Sequence, residues 1–195
     1  HTILPETGRI KVNTAALFRA AVALPSIPGL FVLQPEDMIL HSAAHLFHEG
    51  GLENGLRDLN DLDSLFRCFG ENDVFWDSLM PRAIELGLTR PLFYAIRYAV
   101  SVFNTPIPRR VVDAMDAGQP NALVLAAIDF CYRRALRPAH ASCNTLATPI
   151  ARFSLYVRSH WLRMPLPLLV LHLARKAFRR PKDVLEEKPF LAEKQ

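Results

Sequence analysis

The chain of 195 residues lacks the cysteine pattern of a disulfide scaffold or a zinc site. Its three cysteines, Cys68, Cys131 and Cys143, lie far apart and match no Cys-x-x-Cys spacing. No stretch approaches the roughly 18 consecutive apolar residues of a membrane-spanning helix, and no N-terminal pattern is typical of a signal peptide. We therefore expect a protein of the reducing cytoplasm.

Motifs for nucleophilic hydrolysis and phosphate cradling are also lacking. The sequence has no Gly-x-Ser-x-Gly, no glycine-rich phosphate loop and no cysteine in a recognisable catalytic context. Its net charge of +4, with 22% charged residues, is that of an ordinary surface and indicates no nucleic-acid partner. Serine and cysteine hydrolases are therefore disfavoured.

What is present is a helical pattern. Half of the residues are apolar, enough to bury a core, and they recur at helical spacing between short Gly and Pro turns. The sequence predicts a mainly α fold, a bundle of about eight helices with one or two short strands near the N-terminus. Helices are expected over residues 11–24, 35–48, 56–69, 73–87, 89–104, 109–118, 120–137, 144–163 and 165–180, and strands over residues 1–10 and 30–33.

Three of the seven histidines fall in the predicted helix 35–48. At about 100° per residue, His41, His45 and His48 lie within roughly 60° of one another, and Asp37 shares their stripe. Histidines four apart can share a metal ion, but Glu49 follows the last histidine instead of lying inside a His-Glu-x-x-His motif. The pattern leaves a metal site, a phosphate or nucleotide contact, and a structural or interdomain face open.

The next predicted helix carries two carboxylates on adjacent turns. Asp58 and Asp61 are three residues apart, so they are neighbours on the helix surface. Such a pair could hold an ion, or it could orient the histidines if the two helices pack as an antiparallel pair. A purely structural partnership explains the spacing equally well.

The last helices are apolar on one side and basic on the other. This pattern can rest on a bilayer interface, dock a protein or bind polyphosphate, or it can simply pack on the bundle. We expect any peripheral membrane or protein contact to involve residues 155–180. The predicted basic surface comprises Arg158, Arg163, Arg175, Lys176, Arg179 and Arg180.

Several of these motifs together resemble the C-terminal half of an uncharacterised bacterial nucleotidyltransferase family. They are HTILP, LQPEDMILHSAAHLFHEGGLENGLRDLNDLDSLFR and LYVRSHWLRMPLPLLVLHLARKAFRR, and the resemblance covers residues 1 to about 180. It implies a parent enzyme that transfers a nucleotidyl group from an NTP to an unknown acceptor. Its N-terminal core would bind Mg²⁺ and the NTP through paired aspartates. None of those catalytic residues can be placed in this chain, so no metal ligand or cofactor is assigned to it.

The resemblance also implies a division of the chain. Residues 1–34 would be the edge of an N-terminal nucleotidyltransferase core, and residues 35–180 would be a helical domain. Residues 181–195 are charged and carry little periodicity, so from their composition we expect a flexible tail. The chain starts without Met, and we expect it to be a piece of a longer protein that does not catalyse on its own. Its partners would be that core and the acceptor.

The histidines and aspartates acquire a role in this interpretation. His41, His45, His48, Asp58 and Asp61 would face the substrate or the catalytic core. Two alternatives remain open at this stage. One is a non-enzymatic helical module whose basic C-terminal helix pair binds a membrane or a partner. The other is a metal-dependent enzyme built on the three histidines.

Overall fold

The computed structural model describes residues 8–9, 11–48, 52–138 and 140–178. Over these residues the chain forms nine α-helices and one two-stranded antiparallel sheet, which confirms the predicted mainly α fold with short strands near the N-terminus. The elements are α1 (Thr14–Arg19), β1 (Val22–Ala23), β2 (Phe31–Val32), α2 (Pro35–His48), α3 (Gly55–Phe69), α4 (Asp73–Leu86), α5 (Thr89–Phe103), α6 (Arg109–Ala114), α7 (Ala122–Ala135), α8 (Ala147–Arg163) and α9 (Leu166–Phe178).

The first helix is shorter than the predicted span of residues 11–24. It begins after Asn13, whose side-chain oxygen accepts a hydrogen bond from the Ala16 amide at 3.2 Å and so caps the helix. Residues 22–23 pair instead with residues 31–32 as antiparallel strands. Because strand pairing needs extended backbone, the helix cannot continue through these residues. The predicted helix is therefore wrong in its last turn.

Two predicted terminal features lie outside the described residues. They are most of the strand expected over residues 1–10 and the tail at residues 181–195. Arg9 is described and contacts the end of α8. Its backbone amide donates to the Leu162 carbonyl at 2.7 Å, and its Nε donates to the Trp161 carbonyl at 2.9 Å. These bonds satisfy carbonyls that the helix end leaves without an intrahelical donor.

The core forms where α2, α3, α4 and α5 bury their apolar faces against one another. Leucine, isoleucine and alanine recur three or four residues apart on each helix, which puts them on one face. A cluster of four aromatic rings, from Phe47, Tyr94, Tyr98 and Tyr132, extends this core toward α7, with neighbouring centroids 5.2–6.3 Å apart. Fully buried residues of the four helices include Ile39, Leu40, Leu59, Leu62, Leu79, Leu86, Leu92 and Ala95.

Helix α4 continues through Pro81, which the sequence predicts either to kink or to split it. Pro81 is exposed, so the carbonyl that loses its helical donor can be solvated by water. The helix ends at Gly87, which has a φ of +71°. A Cβ at that position would lie 2.8 Å from the Lys11 carbonyl oxygen, so both the backbone conformation and the close approach favour glycine.

The C-terminal helices add a second layer. Helix α7 packs along α8, and α9 is held on α8 by a hydrogen bond of 2.8 Å between the Tyr156 hydroxyl and His172 Nε2. The rings of His160 and His172 stack at 4.7 Å beside this bond. Among the described helices, none combines the length and the apolar character needed to span a membrane.

Candidate functional site

Helix α2, which carries the three histidines, is fixed in orientation by a buried ion pair. Asp37 is 0% exposed, and Arg82 of α4 donates to its two carboxylate oxygens at 2.7 Å each. The hydrogen bond to Asp37 is the main cause that raises the pKa of Arg82 above its ordinary value. Arg82 also donates to the Ala16 carbonyl at 3.0 Å, which ties α1 to the same point. Asp37 therefore faces the interior, and not the polar stripe that helical spacing predicts.

His41 and His45 lie side by side on the half-buried face of α2. Their ring centroids are 4.4 Å apart. Across from them, α3 presents Asp58 and Asp61, and the four side chains come together in one cleft of about 230 Å³. We call it the His–Asp cleft, and its lining residues are His41, Ser42, His45, Leu46, Asp58 and Asp61.

The charge of the His–Asp cleft comes from its two carboxylates. Arg57 donates from Nε and Nη2 to one oxygen of Asp58, at 3.1 and 2.9 Å. Asp58 is half-buried and Asp61 is exposed. Arg57 offsets the charge of Asp58 only, so the two carboxylates that line the cleft leave it acidic. Such a cleft favours ligand groups that donate hydrogen bonds or carry positive charge.

His48 lies apart from the other two histidines. It is 1% exposed, at the end of α2 and against the core. The carbonyls of this last helical turn accept hydrogen bonds from α8, where Arg158 donates to Phe47 at 2.9 Å and Arg163 donates to His48 at 3.4 Å. The structure thus brings His41, His45, Asp58 and Asp61 together and places His48 elsewhere.

An apolar cleft that the sequence does not predict adjoins the His–Asp cleft. Its volume is about 260 Å³, and His41 lines both clefts. The apolar cleft lies between α1, the strand β2 and the middle of α2, where His41 lines it. Its formation depends on strand pairing over residues 22–32, which periodicity alone did not predict. Its other lining residues are Thr14, Leu17, Phe18, Ala21, Phe31, Val32 and Leu33.

The described side chains of the His–Asp cleft do not form a complete set of three or more metal ligands. Across the described ranges, no group of three or more His, Cys, Asp or Glu side chains is placed to hold a metal ion. Mg²⁺ prefers oxygen ligands in octahedral geometry. The cleft has two carboxylates, and Arg57 already contacts an oxygen of Asp58. The Mg²⁺ that the resemblance implies is therefore not assigned to these residues.

Among the described residues, the predicted basic surface consists of two partly buried arginines on α8 and two exposed cations on α9. Arg158 is partly buried, and its guanidinium lies 5.5 Å from the Tyr94 ring centroid. Arg158 and Arg163 both bond to the last carbonyls of α2, which attract cations because a helix C-terminus carries partial negative charge. Arg175 and Lys176 are exposed on α9. The remaining two arginines, at positions 179 and 180, lie outside the described residues.

A second polar cluster, which sequence analysis did not predict, joins α5 to α7. Arg97 donates to Asp129 at 2.9 Å, and the Tyr98 hydroxyl donates to the same carboxylate at 2.9 Å. The hydrogen bond from Arg97 is the main cause that lowers the pKa of Asp129. Burial is the main cause that raises the pKa of Tyr98. The partners are 31 and 32 residues apart, so no local motif marks them, and the contacts indicate a structural link.

Comparison with known proteins identifies the family. A family model described as "Uncharacterised nucleotidyltransferase" matches residues 1–104, more than half of the chain and all of the His–Asp cleft. Searches of curated proteins and of solved structures returned no match. The chain therefore belongs to this uncharacterised family of nucleotidyltransferases.

Proposed function

We propose that the chain takes part in the transfer of a nucleotidyl group from an NTP to an acceptor. The family match over residues 1–104 carries this proposal. In this proposal, residues 1–34 are the edge of a nucleotidyltransferase core, and paired aspartates of that core, none of which can be placed in this chain, bind the NTP and Mg²⁺. Residues 35–180 form a helical domain that completes the acceptor site but does not catalyse alone. A cytoplasmic bacterial enzyme is the setting that the sequence predicts.

The charge of the His–Asp cleft favours the acceptor over the NTP as its ligand. A triphosphate carries several negative charges, which Asp58 and Asp61 would repel. A hydroxyl or amine on the acceptor can instead donate hydrogen bonds to these carboxylates and to a neutral imidazole. His41 lines both the His–Asp cleft and the apolar cleft. An acceptor whose reactive hydroxyl or amine lies in the His–Asp cleft could therefore place a neighbouring apolar group in the apolar cleft.

The chemistry gives the cleft residues defined roles. The acceptor's oxygen or nitrogen forms a bond to the α-phosphorus, the bond to pyrophosphate breaks, and the attacking group loses its proton. The imidazole of His41 or His45 can accept that proton, since histidine is the side chain that most often acts as a general base. Asp58 and Asp61 would orient the acceptor. These assignments concern only the acceptor side of the reaction.

The test uses the product of the complete reading frame that contains this sequence. It is incubated with each NTP labelled at the α-phosphate, with Mg²⁺ and the small-molecule fraction of a cell extract, and labelled products are separated by chromatography. We expect label to move from one NTP to an acceptor. His41→Ala and Asp61→Asn should each slow this transfer by roughly 10²-fold, the scale seen when a positioning group is lost.

His140→Ala is the matched control, because His140 is exposed and lies outside the His–Asp cleft. It should transfer label at the wild-type rate. The absence of both label transfer and NTP binding in the complete product would overturn the proposed activity. Equal rates for the wild type and the cleft variants would instead refute the assigned role of the cleft.

A further inference from the structure

We propose that α8 and α9 bind an anionic phospholipid surface. An apolar stripe on α8 would enter the interfacial region of the bilayer, and a basic cleft beside it would hold lipid phosphate. This contact is separate from the His–Asp cleft, and it is compatible with the proposed nucleotidyl transfer.

The apolar stripe consists of Leu146, which is the N-cap residue of α8 and has a helical backbone conformation, and of Ile150 and Phe153 within the helix. They are 98%, 64% and 61% exposed and recur at intervals of four and three residues, so they share one helix face. Single exposed apolar residues are ordinary, but a contiguous row marks a surface that contacts something other than water. Helix α9 adds the exposed residues Leu166, Leu168, Val170 and Leu171.

The basic cleft lies between α8, α9 and the segment that precedes α3. It measures about 240 Å³, and its lining includes Arg152, Lys176 and Tyr156. The Nζ of Lys176 stands 3.9 Å from the Tyr156 ring centroid. The Nε of Arg152 is buried and has no hydrogen-bond partner within the described part of the chain. Glu53 also lines the cleft and offsets one of the two cations, so the lining stays positive.

The stripe and the basic cleft are continuous, because Phe153 belongs to both. A cationic site at the edge of an apolar surface is the arrangement of interfacial membrane helices. There, basic groups meet lipid phosphates while apolar side chains reach the acyl boundary. Arg175 is exposed on α9, and the sequence continues with further basic residues at positions 179, 180 and 182. This charge complements an anionic membrane and argues for it over an uncharged partner surface.

Vesicle flotation of the full chain tests the proposal. Vesicles of phosphatidylcholine alone are compared with vesicles that also contain phosphatidylglycerol. We expect recovery with the anionic vesicles only, decreasing as salt rises. Ile150→Ser should weaken binding roughly ten-fold through lost apolar burial. Arg152→Gln with Lys176→Gln should weaken it roughly 25-fold, from about five-fold for each charge.

Matched control variants distinguish binding through this surface from binding that depends only on total exposed apolar area or net charge. Ile84→Ser removes an isoleucine that is 61% exposed on α4. The pair Arg19→Gln and Arg109→Gln removes two exposed positive charges from α1 and α6. Both controls should keep binding within about two-fold of the wild type, since roughly five-fold per charge applies only near the membrane.

The folding and the oligomeric state of each variant are measured alongside vesicle binding. Because the Arg152 Nε is buried, Lys176→Gln alone is measured as well, and circular dichroism confirms that each variant is folded. Failure of the folded wild type to bind anionic vesicles would overturn the proposal. Equal losses in control and site variants would overturn it too. A dimer that light scattering detects and Ile150→Ser dissociates, without vesicle binding, would show that a second copy covers the stripe.

Discussion

The buried ion pair between Asp37 and Arg82 offers the sharpest test of how α2 is held. We predict that Asp37→Asn destabilises the fold strongly, because it leaves the guanidinium of Arg82, whose side chain is 10% exposed, without its buried counter-charge. Removing one partner of a buried pair costs roughly 3–5 kcal/mol. Glu85 still contacts Arg82 at 2.6 Å, so the lower end, about 3 kcal/mol, is expected.

For a chain of this size, each kcal/mol of lost unfolding free energy lowers the melting temperature by about 2–4 °C. The melting temperature of Asp37→Asn should therefore fall by roughly 6–12 °C. Differential scanning calorimetry measures the shift. Asp73→Asn is the control, since its pair with Arg110 is solvent-exposed, and it should leave the melting temperature almost unchanged. The double variant Asp37→Leu with Arg82→Met should recover most of the loss, because apolar groups need no counter-charge. A drop no larger than that of Asp73→Asn would refute a buried pair at this position.

Two further predictions concern the second polar cluster and one close contact. The lowered pKa of Asp129 means that its ionised form is stabilised by folding, so its contribution is complete above about pH 4 and is lost as pH falls below that value. Urea unfolding as a function of pH should show a shallower acid decline for Asp129→Asn than for the wild type, and parallel curves would contradict this. Gly118→Ala would place a Cβ 2.5 Å from the Thr89 carbonyl oxygen, so we expect a lower melting temperature, whereas an unchanged one would show that the backbone there adapts freely.

The sequence predicts most of the helix boundaries closely. Where the predicted secondary structure is wrong, at residues 22–23, the cause is a contact between residues distant in sequence. Apolar periodicity and end signals such as Pro35 and Gly70 are local, so α2 and α3 were predicted within a residue at each end. Residues 22–23 are predicted as helix because Val22 and Ala23 continue the helical spacing of apolar residues. Their pairing with residues 31–32 is a contact across a turn, and it overrides local propensity.

Only the local part of the candidate site, which is the set of side chains that share one helix face, could be predicted from the sequence. Helical spacing indicates which side chains share a face, and the structure does bring His41 and His45 together with the aspartates of α3. Spacing does not show which face is buried. Asp37 is buried because a partner 45 residues later reaches it, and Arg158 lies against a carbonyl 111 residues away instead of in solvent. Such distant partners leave no signal in a single sequence.

The proposed role of the His–Asp cleft, on the acceptor side of nucleotidyl transfer, can be tested by steady-state kinetics. Its most direct test is the rate of pyrophosphate release by the product of the complete reading frame. That rate is measured against NTP concentration at a fixed amount of the small-molecule fraction, for the wild type and His45→Gln. We expect the maximal rate of the variant to be lowered by roughly 10²-fold, with the half-saturating NTP concentration unchanged. A raised half-saturating NTP concentration at an unchanged maximal rate would contradict the proposed role, because the cleft would then bind the nucleotide.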